Sequence, residues 1–476
     1  MTMPPEHFDI AIIGGGSGGL SVAAGAAQLG AKVVLMEKSK MGGDCLNSGC
    51  VPSKALIAAG KTAQTVRTAS RFGIASREPE VDFAKVNAHV HGVIAAIAPH
   101  DSVERFEKLG CTVIQAAAKF VSPTELEAGG RRITARRFVV ATGSSPFVPP
   151  IPGIKDVKTY TNETIFDLTE TPGHLVIIGG GPIGIEMAQA HRRLGCKVTV
   201  IEAFSIMPKD DSEAVAVVRA RLLEEGVALI EGAKVDAVTA AGNGAAVSIS
   251  RTGKTETITG THLLSAAGRR PNVGGLGLEA AGVAFSPKGI EVDARLRSSN
   301  KSIFAIGDAA GGYQFTHVAA YHAGIVVRNA LFGLPAKADY KAVPWVTYTD
   351  PELAQVGQTI AEALKADRTA KATKWALTEN DRAQAERATE GFIKVVTSSR
   401  GRIIGATIVG KHAGELILPW VLAVQKSMSM RDMTGIIAPY PTLSEISKRA
   451  AGAYFTPSLF SERTRGVVRF VQRWLP

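Results

Sequence analysis

The strongest constraint on the fold is a glycine-rich turn placed between two short apolar strands. The run FDIAII at residues 8–13 leads into GGGSGG at 14–19, then a small-residue helix to Leu29 and a second strand at 32–36. This order is typical of a βαβ dinucleotide-binding unit, whose turn approaches a pyrophosphate at the helix N-terminus. Glu37 follows the second strand, where a carboxylate can accept hydrogen bonds from ribose hydroxyls.

The glycines of this turn have separate predicted roles. Gly14 makes the tight turn, and Gly16 lets the backbone approach a pyrophosphate. Gly19 allows the helix and the strand to pack closely. Since glycine-rich turns are common, a single copy of the pattern is weak support for a nucleotide site.

The pattern occurs a second time, with the same spacing from its first glycine to its glutamate. HLVII at residues 174–178 leads into GGGPIG at 179–184, a helix ending at Gly195, a strand at 197–201 and Glu202. The sequence therefore predicts two dinucleotide sites. Glu202 would repel a 2′-phosphate and no arginine closely follows it, which favours NADH over NADPH.

Three more glycine-containing stretches follow predicted strands. They are FVVATG at 138–143, LLSAAGRRPN at 263–272 and IFAIGD at 303–308. The acid Asp308, placed after a strand and a turn, suits a bond to a chain of hydroxyls. Taken alone, each stretch fits a structural turn better than a binding site.

The size and charge of the chain limit its class. Its 476 residues predict two to four domains, and the net charge of +11 raises the question of nucleic acid. No zinc-finger spacing, aromatic RNA-binding motif or long basic block is present, so we expect no nucleic-acid partner and interpret the charge as spread over the surface. The first ten residues have no leader pattern and no run reaches a membrane-span length, so we expect a cytoplasmic protein.

Two of the four cysteines lie close together in GGDCLNSGCVPSK at residues 42–54. Pro52 suits a first helical turn, which places Cys50 at a helix N-terminus with Lys54 one turn further on, and both features stabilise a thiolate. Cys45 is expected on the preceding glycine-bounded loop, with one sulfur held inside and the other open to substrate. In a cytoplasmic protein, such a pair indicates a redox disulfide.

A zinc site is the alternative for this pair. It would need two more ligands, and no histidine lies near Cys45 or Cys50 in sequence. Cys111 and Cys196 each start a predicted strand and are interpreted as buried small hydrophobes. We therefore expect no metal site.

GGDCLNSGCVPSK, between two GxGxxG turns, resembles the active-site motif of the class I pyridine nucleotide-disulfide oxidoreductases. This family includes dihydrolipoamide dehydrogenase, glutathione reductase and mercuric reductase, and the resemblance runs from Phe8 to about Tyr454. It implies a homodimeric FAD-dependent enzyme in which NAD(P)H passes a hydride to flavin, and electrons then open the Cys45–Cys50 disulfide. Cys50 would contact the flavin, Cys45 would exchange with substrate, and Lys54 would pair with Glu186.

The resemblance also implies which residues bind the cofactors. For FAD these are Gly14, Gly16, Ser17, Gly19, Glu37, Lys38, Gly43, Lys54, Ala141, Thr142, Gly143, Gly307, Asp308, Gln314, Phe315 and Thr316. For NADH or NADPH they are Gly179, Gly181, Gly184, Glu202 and Gly268.

The C-terminal motif PYPTLSE at residues 439–445 departs from the lipoamide and glutathione enzymes, in which a histidine stands at the position of Tyr440. In those enzymes the histidine completes the partner subunit's site as an acid and base, and a glutamate follows it. Glu445 is the matching glutamate in this chain. A tyrosine, whose pKa is near 10, holds its proton at neutral pH. We expect Tyr440 and Glu445 of the neighbouring subunit to complete each active site. The alternative is that Tyr440 is a packing residue at the dimer interface.

A tyrosine at this position resembles mercuric reductase, and a soft metal ion between two thiolates needs no such base. However, no cysteine follows Cys196, whereas mercuric enzymes carry a C-terminal cysteine pair. We therefore expect reduction of a metal ion, a small disulfide or a related acceptor. The alternatives are a dihydrolipoamide dehydrogenase with an altered base and a low-turnover redox sensor or membrane-associated protein.

The predicted fold class is α/β, with two Rossmann-like domains and a C-terminal α+β dimerisation domain. Residues 1–150 with 270–339 would bind FAD, 151–269 would bind NAD(P), and 340–454 would dimerise. Alternating runs at residues 392–396 and 403–409 predict an antiparallel sheet in the last domain, and a helix is expected from Gly414 to about Lys426.

The tail at residues 455–476 has arginines at fourfold spacing opposite apolar side chains. This pattern predicts a weak peripheral membrane contact, or else a helix packed on its own protein.

Overall fold

The structure is a computed structural model that describes residues 4–475 and divides into two compact units. The first unit comprises the chain up to Ala203 together with Ile230–Asp339, and the second comprises Phe204–Leu229 with the residues from Tyr340 onward. Two short stretches lie outside the described part: residues 1–3, which belong to the segment in which no leader pattern was found, and residue 476 of the tail. The finer division into cofactor domains given above stays a prediction.

The strands, in chain order within residues 4–475, are β1 (Glu6–Ile13), β2 (Val33–Met36), β3 (Cys111–Ile114), β4 (Ala118–Ser122), β5 (Glu125–Ala128), β6 (Arg131–Val140), β7 (Ser144–Pro146), β8 (Thr159–Tyr160), β9 (His174–Ile178), β10 (Lys197–Glu202), β11 (Ala228–Glu231), β12 (Lys234–Ala241), β13 (Gly244–Arg251), β14 (Lys254–Gly260), β15 (His262–Ser265), β16 (Arg269–Pro271), β17 (Phe285–Ser286), β18 (Gly289–Ile290), β19 (Ile303–Ala305), β20 (Pro344–Thr347), β21 (Glu352–Gly357), β22 (Lys371–Ala376), β23 (Phe392–Thr397) and β24 (Ile403–Gly410).

The α-helices over the same residues are α1 (Ser17–Gln28), α2 (Gly43–Asn47), α3 (Cys50–Thr68), α4 (Phe83–Ile97), α5 (Val103–Lys108), α6 (Pro182–Arg193), α7 (Ser212–Glu224), α8 (Thr316–Leu331), α9 (Ile360–Ala366), α10 (Asp381–Ala385), α11 (Ala413–Leu416), α12 (Leu418–Gln425), α13 (Met430–Thr434), α14 (Glu445–Leu459) and α15 (Glu462–Val471).

The first unit is built on two mainly parallel sheets. In one, β3, β2, β1 and β6 lie side by side in that order, β5 and β4 continue it antiparallel, and β19 pairs with β6. In the other, β10, β9, β15 and β8 are parallel neighbours. Each predicted βαβ unit is thus confirmed as a pair of adjacent parallel strands joined through one helix.

Both faces of the first sheet are buried, which explains why β1 is an almost unbroken apolar run. Phe8 and Ile13 pack in one core cluster with Phe138, whereas Ile10 and Ile12 pack in another with the helices. β1, β6 and β19 run parallel, so their carboxyl ends meet at one edge of the sheet. The turns predicted to bind a dinucleotide follow these ends.

The second unit contains an antiparallel sheet in the order β20, β21, β24, β23, β22, as the alternating runs predicted. The helix expected from Gly414 to about Lys426 is confirmed in extent, with one interruption. The structure has two helices, α11 and α12, with Ile417 between them. Pro419 lies in the first turn of α12, and a proline cannot donate the backbone hydrogen bond that a continuous helix would need there.

A buried ion pair joins α7 to this antiparallel sheet. Lys394 Nζ on β23 lies 2.8 Å from both carboxylate oxygens of Asp211, and each side chain is only 4% exposed. Asp211 also caps α7 by accepting the backbone N–H groups of Glu213 and Ala214. Glu213 adds a contact of 2.6 Å to the same ammonium.

Across residues 4–475, every helix is too short or too polar to traverse a bilayer. The tail forms α15, as the fourfold arginine spacing predicted, and none of its described residues is buried by the chain. The alternative of a helix packed on its own protein, which includes the partner subunit, stays a prediction.

Candidate active site

The two glycine turns have the same hydrogen-bond geometry. The backbone N–H of Gly15 donates to Glu37 Oε2 at 2.6 Å, and that of Gly180 donates to Glu202 Oε2 at 2.6 Å. Each glutamate thus lies at the carboxyl end of its strand and against its own turn. This repetition confirms that the two sequence motifs form equivalent local structures.

The glycines are required by close backbone approach. A Cβ atom on Gly19 would lie 1.9 Å from the carbonyl oxygen of Gly14, and one on Gly184 would lie 2.0 Å from that of Gly179. Both of the first glycines have positive φ, at 109° and 116°, which favours glycine. These contacts are the strand-to-helix packing predicted for the third glycine of the motif.

The middle glycines face open space instead. A Cβ on Gly181 would meet no atom within 4 Å, and one on Gly16 would meet only Gly43 Cα, at 3.8 Å. Each of these glycines leaves open space at the start of a helix of twelve residues. A pyrophosphate fits such a space, because the helix N-terminus attracts negative charge. The residues present therefore fit one dinucleotide at each turn.

We expect the variant Gly181→Ala to fold normally but to bind NADH more weakly, since the added methyl occupies only the space of the ligand. Overpacking costs about 1–3 kcal/mol, which corresponds to a roughly 5- to 150-fold rise in the NADH Kd. The matched variant Gly184→Ala, whose methyl strikes backbone, should lower the melting temperature as well. Calorimetric titration with NADH measures the first effect, and an unchanged Kd in Gly181→Ala would place the dinucleotide elsewhere.

The cysteine pair lies at the junction of two helices. Cys50 is the first residue of α3 and Pro52 lies in its first turn, as predicted. Cys45 was expected on a loop, but it lies in the five-residue helix α2. That helix forms because Asn47 Nδ2 donates to the carbonyl oxygens of Met41 and Gly43, which closes the segment into a turn. Both cysteines are free thiols, and Cys45 is partly buried. The Cys50 residue is exposed as a whole although burial acts to raise the pKa of its thiol, so the expectation of one enclosed sulfur stays a prediction.

The two thiols have opposite pKa shifts. The hydrogen bond with Cys45 is the main cause that lowers the pKa of Cys50 to about 6; burial opposes it, while the Thr316 hydroxyl and the Lys54 ammonium assist. The same hydrogen bond, with burial, raises the pKa of Cys45 far above the ordinary thiol value. At pH 7 the reduced pair therefore holds a thiolate at Cys50 and a proton at Cys45.

The variant Cys45→Ala is expected to raise the pKa of Cys50 above 6, because the main stabilising donor is removed. The thiolate is lost as pH falls through this pKa, so the transition should move to higher pH in the variant. The chemical shift of isotope-labelled cysteine Cβ in the reduced protein reports this midpoint. If the two midpoints coincide, the hydrogen bond does not set the pKa.

Lys54 and Glu186 form the ion pair that the resemblance implied. Lys54 Nζ on α3 lies 2.8 Å from Glu186 Oε2 on α6, although the two residues are 132 positions apart. The glutamate side chain is 7% exposed and the lysine side chain 38% exposed. The pair thus links the helix that begins at Cys50 with the helix that begins at the second glycine turn.

Sequence analysis missed a polar network beside the cysteines. Arg269 Nη2 lies 3.1 Å from Asp44 Oδ1, and Asn162 Nδ2 donates to the same oxygen at 2.9 Å. Arg269 also donates to the hydroxyl and the carbonyl oxygen of Ser144, both at 2.7 Å. The network holds α2 against β7, and the Asp44 carboxylate opposes the lowering of the Cys50 pKa. Arg269, which directly follows the predicted cofactor residue Gly268, is the sequence feature that could have indicated this network.

The FAD residues predicted beyond the first turn gather at the same sheet edge. The Ser144 hydroxyl donates to Asp308 Oδ2 at 2.6 Å, while burial raises the pKa of Asp308 above its usual value. The backbone N–H of Gly307 donates to His322 Nδ1 at 3.1 Å, so that nitrogen carries no proton. Burial lowers the pKa of His322 to about 4, which keeps the ring neutral.

The remaining predicted cofactor residues have these positions. Ser17 begins α1, Lys38 follows β2, Gly43 begins α2, Ala141 to Gly143 follow β6, Gly268 precedes β16, and Gln314 and Phe315 precede α8. Thr316, the first residue of α8, has its hydroxyl 3.4 Å from Cys50 Sγ. This last contact brings one predicted flavin residue directly to the redox pair.

Tyr440 and Glu445 lie in the second unit. The Tyr440 hydroxyl donates to Asp381 Oδ2 at 2.8 Å, and this bond raises the pKa of the phenol above 10. Tyr440 is 67% exposed. Glu445 accepts a hydrogen bond of 2.9 Å from Arg449 Nε. Tyr440 thus keeps its proton at neutral pH.

The other two cysteines are buried, as predicted. Burial raises the pKa of Cys111 to about 11 and that of Cys196 to about 12, so both are poor nucleophiles. In the part of the chain that the structure describes, no three His, Cys, Asp or Glu side chains gather as they would around a metal ion.

Comparison with known proteins agrees with this geometry. Residues 8–323 match the family described as pyridine nucleotide-disulphide oxidoreductase, and residues 343–451 match the dimerisation domain of the same family. The chain belongs to this family. Its members are FAD- and NAD(P)H-dependent enzymes, so the chain is an FAD-dependent oxidoreductase, and the dimerisation domain indicates a homodimer.

Curated relatives of this family member carry two different names. A mercuric reductase of Lysinibacillus sphaericus is 34% identical over 94% of this chain and 82% of its own length. A dihydrolipoyl dehydrogenase of Geobacillus stearothermophilus is 36% identical over 92% of this chain and 94% of its own. Overall identity therefore does not separate the two activities.

Among solved structures, a Cu(II) complex of the HOCl-induced flavoprotein disulfide reductase RclA from Escherichia coli matches with a TM-score of 0.83. It is 28% identical and the match covers 93% of this chain and 99% of that one. The fold class predicted from the sequence is thereby confirmed.

Proposed function

We propose that this oxidoreductase uses NADH or NADPH to reduce a soft metal ion, such as Hg(II) or Cu(II), through Cys45 and Cys50. The observation that carries the proposal is the Tyr440 hydrogen bond to Asp381, which leaves the chain without a neutral-pH base at the family's histidine position. When bound, FAD would accept a hydride from the nicotinamide and pass its two electrons on to the Cys45–Cys50 disulfide.

The cysteine pair has the properties that a metal acceptor requires. The Cys50 thiolate is a soft ligand, and metal coordination displaces the proton of Cys45 to water. The dithiolate then gives two electrons, Hg(II) becomes Hg(0), and the two sulfurs join as a disulfide. With Cu(II), the same two electrons convert two ions to Cu(I).

A dithiol substrate makes a different demand. Its exchange with a disulfide needs a group that removes a proton from each thiol, and general acid–base catalysis is typically worth about 10² to 10⁴ in rate. Tyr440, whose pKa is raised, cannot serve as that base at pH 7. The Cu(II) complex of RclA, a structure similar to this chain, further supports a metal ion as acceptor.

The test is an anaerobic acceptor panel with NADH and NADPH. The proposal predicts that Hg(II) or Cu(II) is reduced faster than lipoamide or glutathione disulfide. The variant Tyr440→His is expected to raise lipoamide turnover and to leave metal reduction within about threefold. If the wild type turns over lipoamide faster than either metal, the chain is a dihydrolipoamide dehydrogenase with an altered base instead.

We also propose that α15 rests on an anionic membrane surface. Arg465 and Arg469 lie on one side of the helix, and Arg473 continues their spacing just beyond its end. The apolar side chains on the other side are Val467, Phe470 and Val471, and Trp474 and Leu475 follow the helix. All of these apolar side chains are exposed, Trp474 by 77%. A basic face opposite an aromatic and aliphatic face suits an interfacial helix.

Deleting residues 462–476 leaves α14 intact and is expected to reduce co-sedimentation with phosphatidylserine vesicles at least fivefold. Each arginine near such a surface contributes about 1 kcal/mol, and salt screens that term. Neutral phosphatidylcholine vesicles are the control, since the full chain should bind them weakly. Equal sedimentation of the full and shortened chains would remove the membrane contact.

A further inference from the structure

A cavity of about 350 Å³ in the first unit has four cationic side chains on its wall. These are Arg137 on β6, Arg295 and Arg297 before β19, and Lys301, which directly precedes Ser302 and β19. Cavities that hold small molecules begin at about 300 Å³. The space is therefore sufficient for a small organic anion.

Most of this positive charge is not neutralised. Arg297 pairs with Asp293, at 2.8 and 3.0 Å. Within residues 4–475, Arg137 and Lys301 bond only backbone carbonyl oxygens, and the Arg295 guanidinium has no hydrogen-bond or ion-pair partner. Three cations without a carboxylate partner at one cavity favour an anionic ligand.

This cavity is separate from the dinucleotide turns. Lys301 and Ser302 precede β19, whereas Gly307 and Asp308 follow it. Arg137 lies next to Phe138, which pairs with the first residue of β19. The cavity thus lies at the amino end of this parallel pair, whereas dinucleotides bind at the carboxyl ends of such strands.

We propose that the cavity binds a small phosphorylated molecule, such as a sugar phosphate. The cations Arg137, Arg295 and Lys301 hold the phosphate oxygens. The buried Phe304 and the partly exposed Leu334 provide an apolar wall for the carbon skeleton.

Calorimetric titration of the FAD-loaded full chain tests the proposal, with NAD⁺ in excess so that the dinucleotide sites are filled. Ribose 5-phosphate is expected to bind with one site per chain, and more tightly than inorganic phosphate or ribose. The variant Arg295→Gln should raise its Kd roughly tenfold or more, since hydrogen bonds to charged groups contribute about 1.5–3 kcal/mol.

The variant Arg136→Gln is the matched control, because Arg136 is an exposed neighbour that does not line the cavity and pairs with Asp9. It should leave the Kd within twofold, and both variants should keep the NADH-driven turnover of the wild type. A Kd unchanged in Arg295→Gln, or no saturable heat with ribose 5-phosphate, would overturn the site. Equal affinity for phosphate and ribose 5-phosphate would overturn the role of the apolar wall.

Discussion

Replacing Cys45 with serine is expected to lower NADH-dependent metal reduction at least about 10³-fold. A serine hydroxyl neither forms a disulfide with Cys50 nor acts as a soft ligand, so the pair loses both of its functions at once. When two catalytic residues act as a unit, removing one of them typically lowers the rate by this factor or more. Steady-state NADH oxidation with Hg(II) measures the effect.

The control for this experiment separates chemistry from cofactor loss. The variant Cys111→Ala removes a buried thiol that has no place in the redox pair and should keep turnover within about twofold. Reduction of ferricyanide by NADH, which requires bound cofactors but no disulfide, should persist in Cys45→Ser. Metal turnover of Cys45→Ser near the wild-type rate would show that the cysteines do not carry the electrons.

The variant Lys394→Met is expected to destabilise the protein by about 3–5 kcal/mol. The substitution leaves Asp211 buried beside Glu213 with no Lys394 ammonium between them, and removal of one partner of a buried pair typically costs this much. Denaturant unfolding followed by fluorescence gives the change in free energy of unfolding. The exposed partner Lys374, which pairs with Glu213, is the matched site.

The variant Lys374→Met should cost at most about 1 kcal/mol, because both side chains of that pair are about half exposed. The double variant Lys394→Met with Asp211→Asn removes the stranded charge and keeps a good helix cap, so it should regain most of the lost stability. If Lys374→Met and Lys394→Met lowered the free energy of unfolding equally, burial of the Lys394–Asp211 pair would not contribute to stability.

The local parts of the site could be predicted because their spacing is fixed by short segments of chain. A turn between a strand and a helix needs glycine at defined offsets, so Gly14 to Glu37 and Gly179 to Glu202 revealed two equivalent units. The start of α3 at Cys50 was predicted from Pro52 two residues later. In each case the physical cause lies within one turn of the residue concerned.

Contacts between distant segments could not be predicted in the same way. Asp211 and Lys394 are 183 positions apart, and neither neighbouring sequence indicates the other. The bond from Asn162 to Asp44 spans 118 positions, and no feature near Asp44 indicates Asn162 as its partner. Only the Lys54 and Glu186 pair was anticipated over such a distance, through the family resemblance. The interruption at Ile417 is different, since its cause, Pro419, lies only two residues away.

The most direct test of the central claim is the number of reactive thiols before and after reduction by NADH. The chain has four cysteines, of which Cys111 and Cys196 are buried and outside the pair. We predict that the air-oxidised protein, unfolded and alkylated, shows two labelled cysteines by mass spectrometry. After anaerobic incubation with NADH, it should show four, with the new labels on Cys45 and Cys50. A count of two in both samples, or four in both, would contradict an electron path through this disulfide.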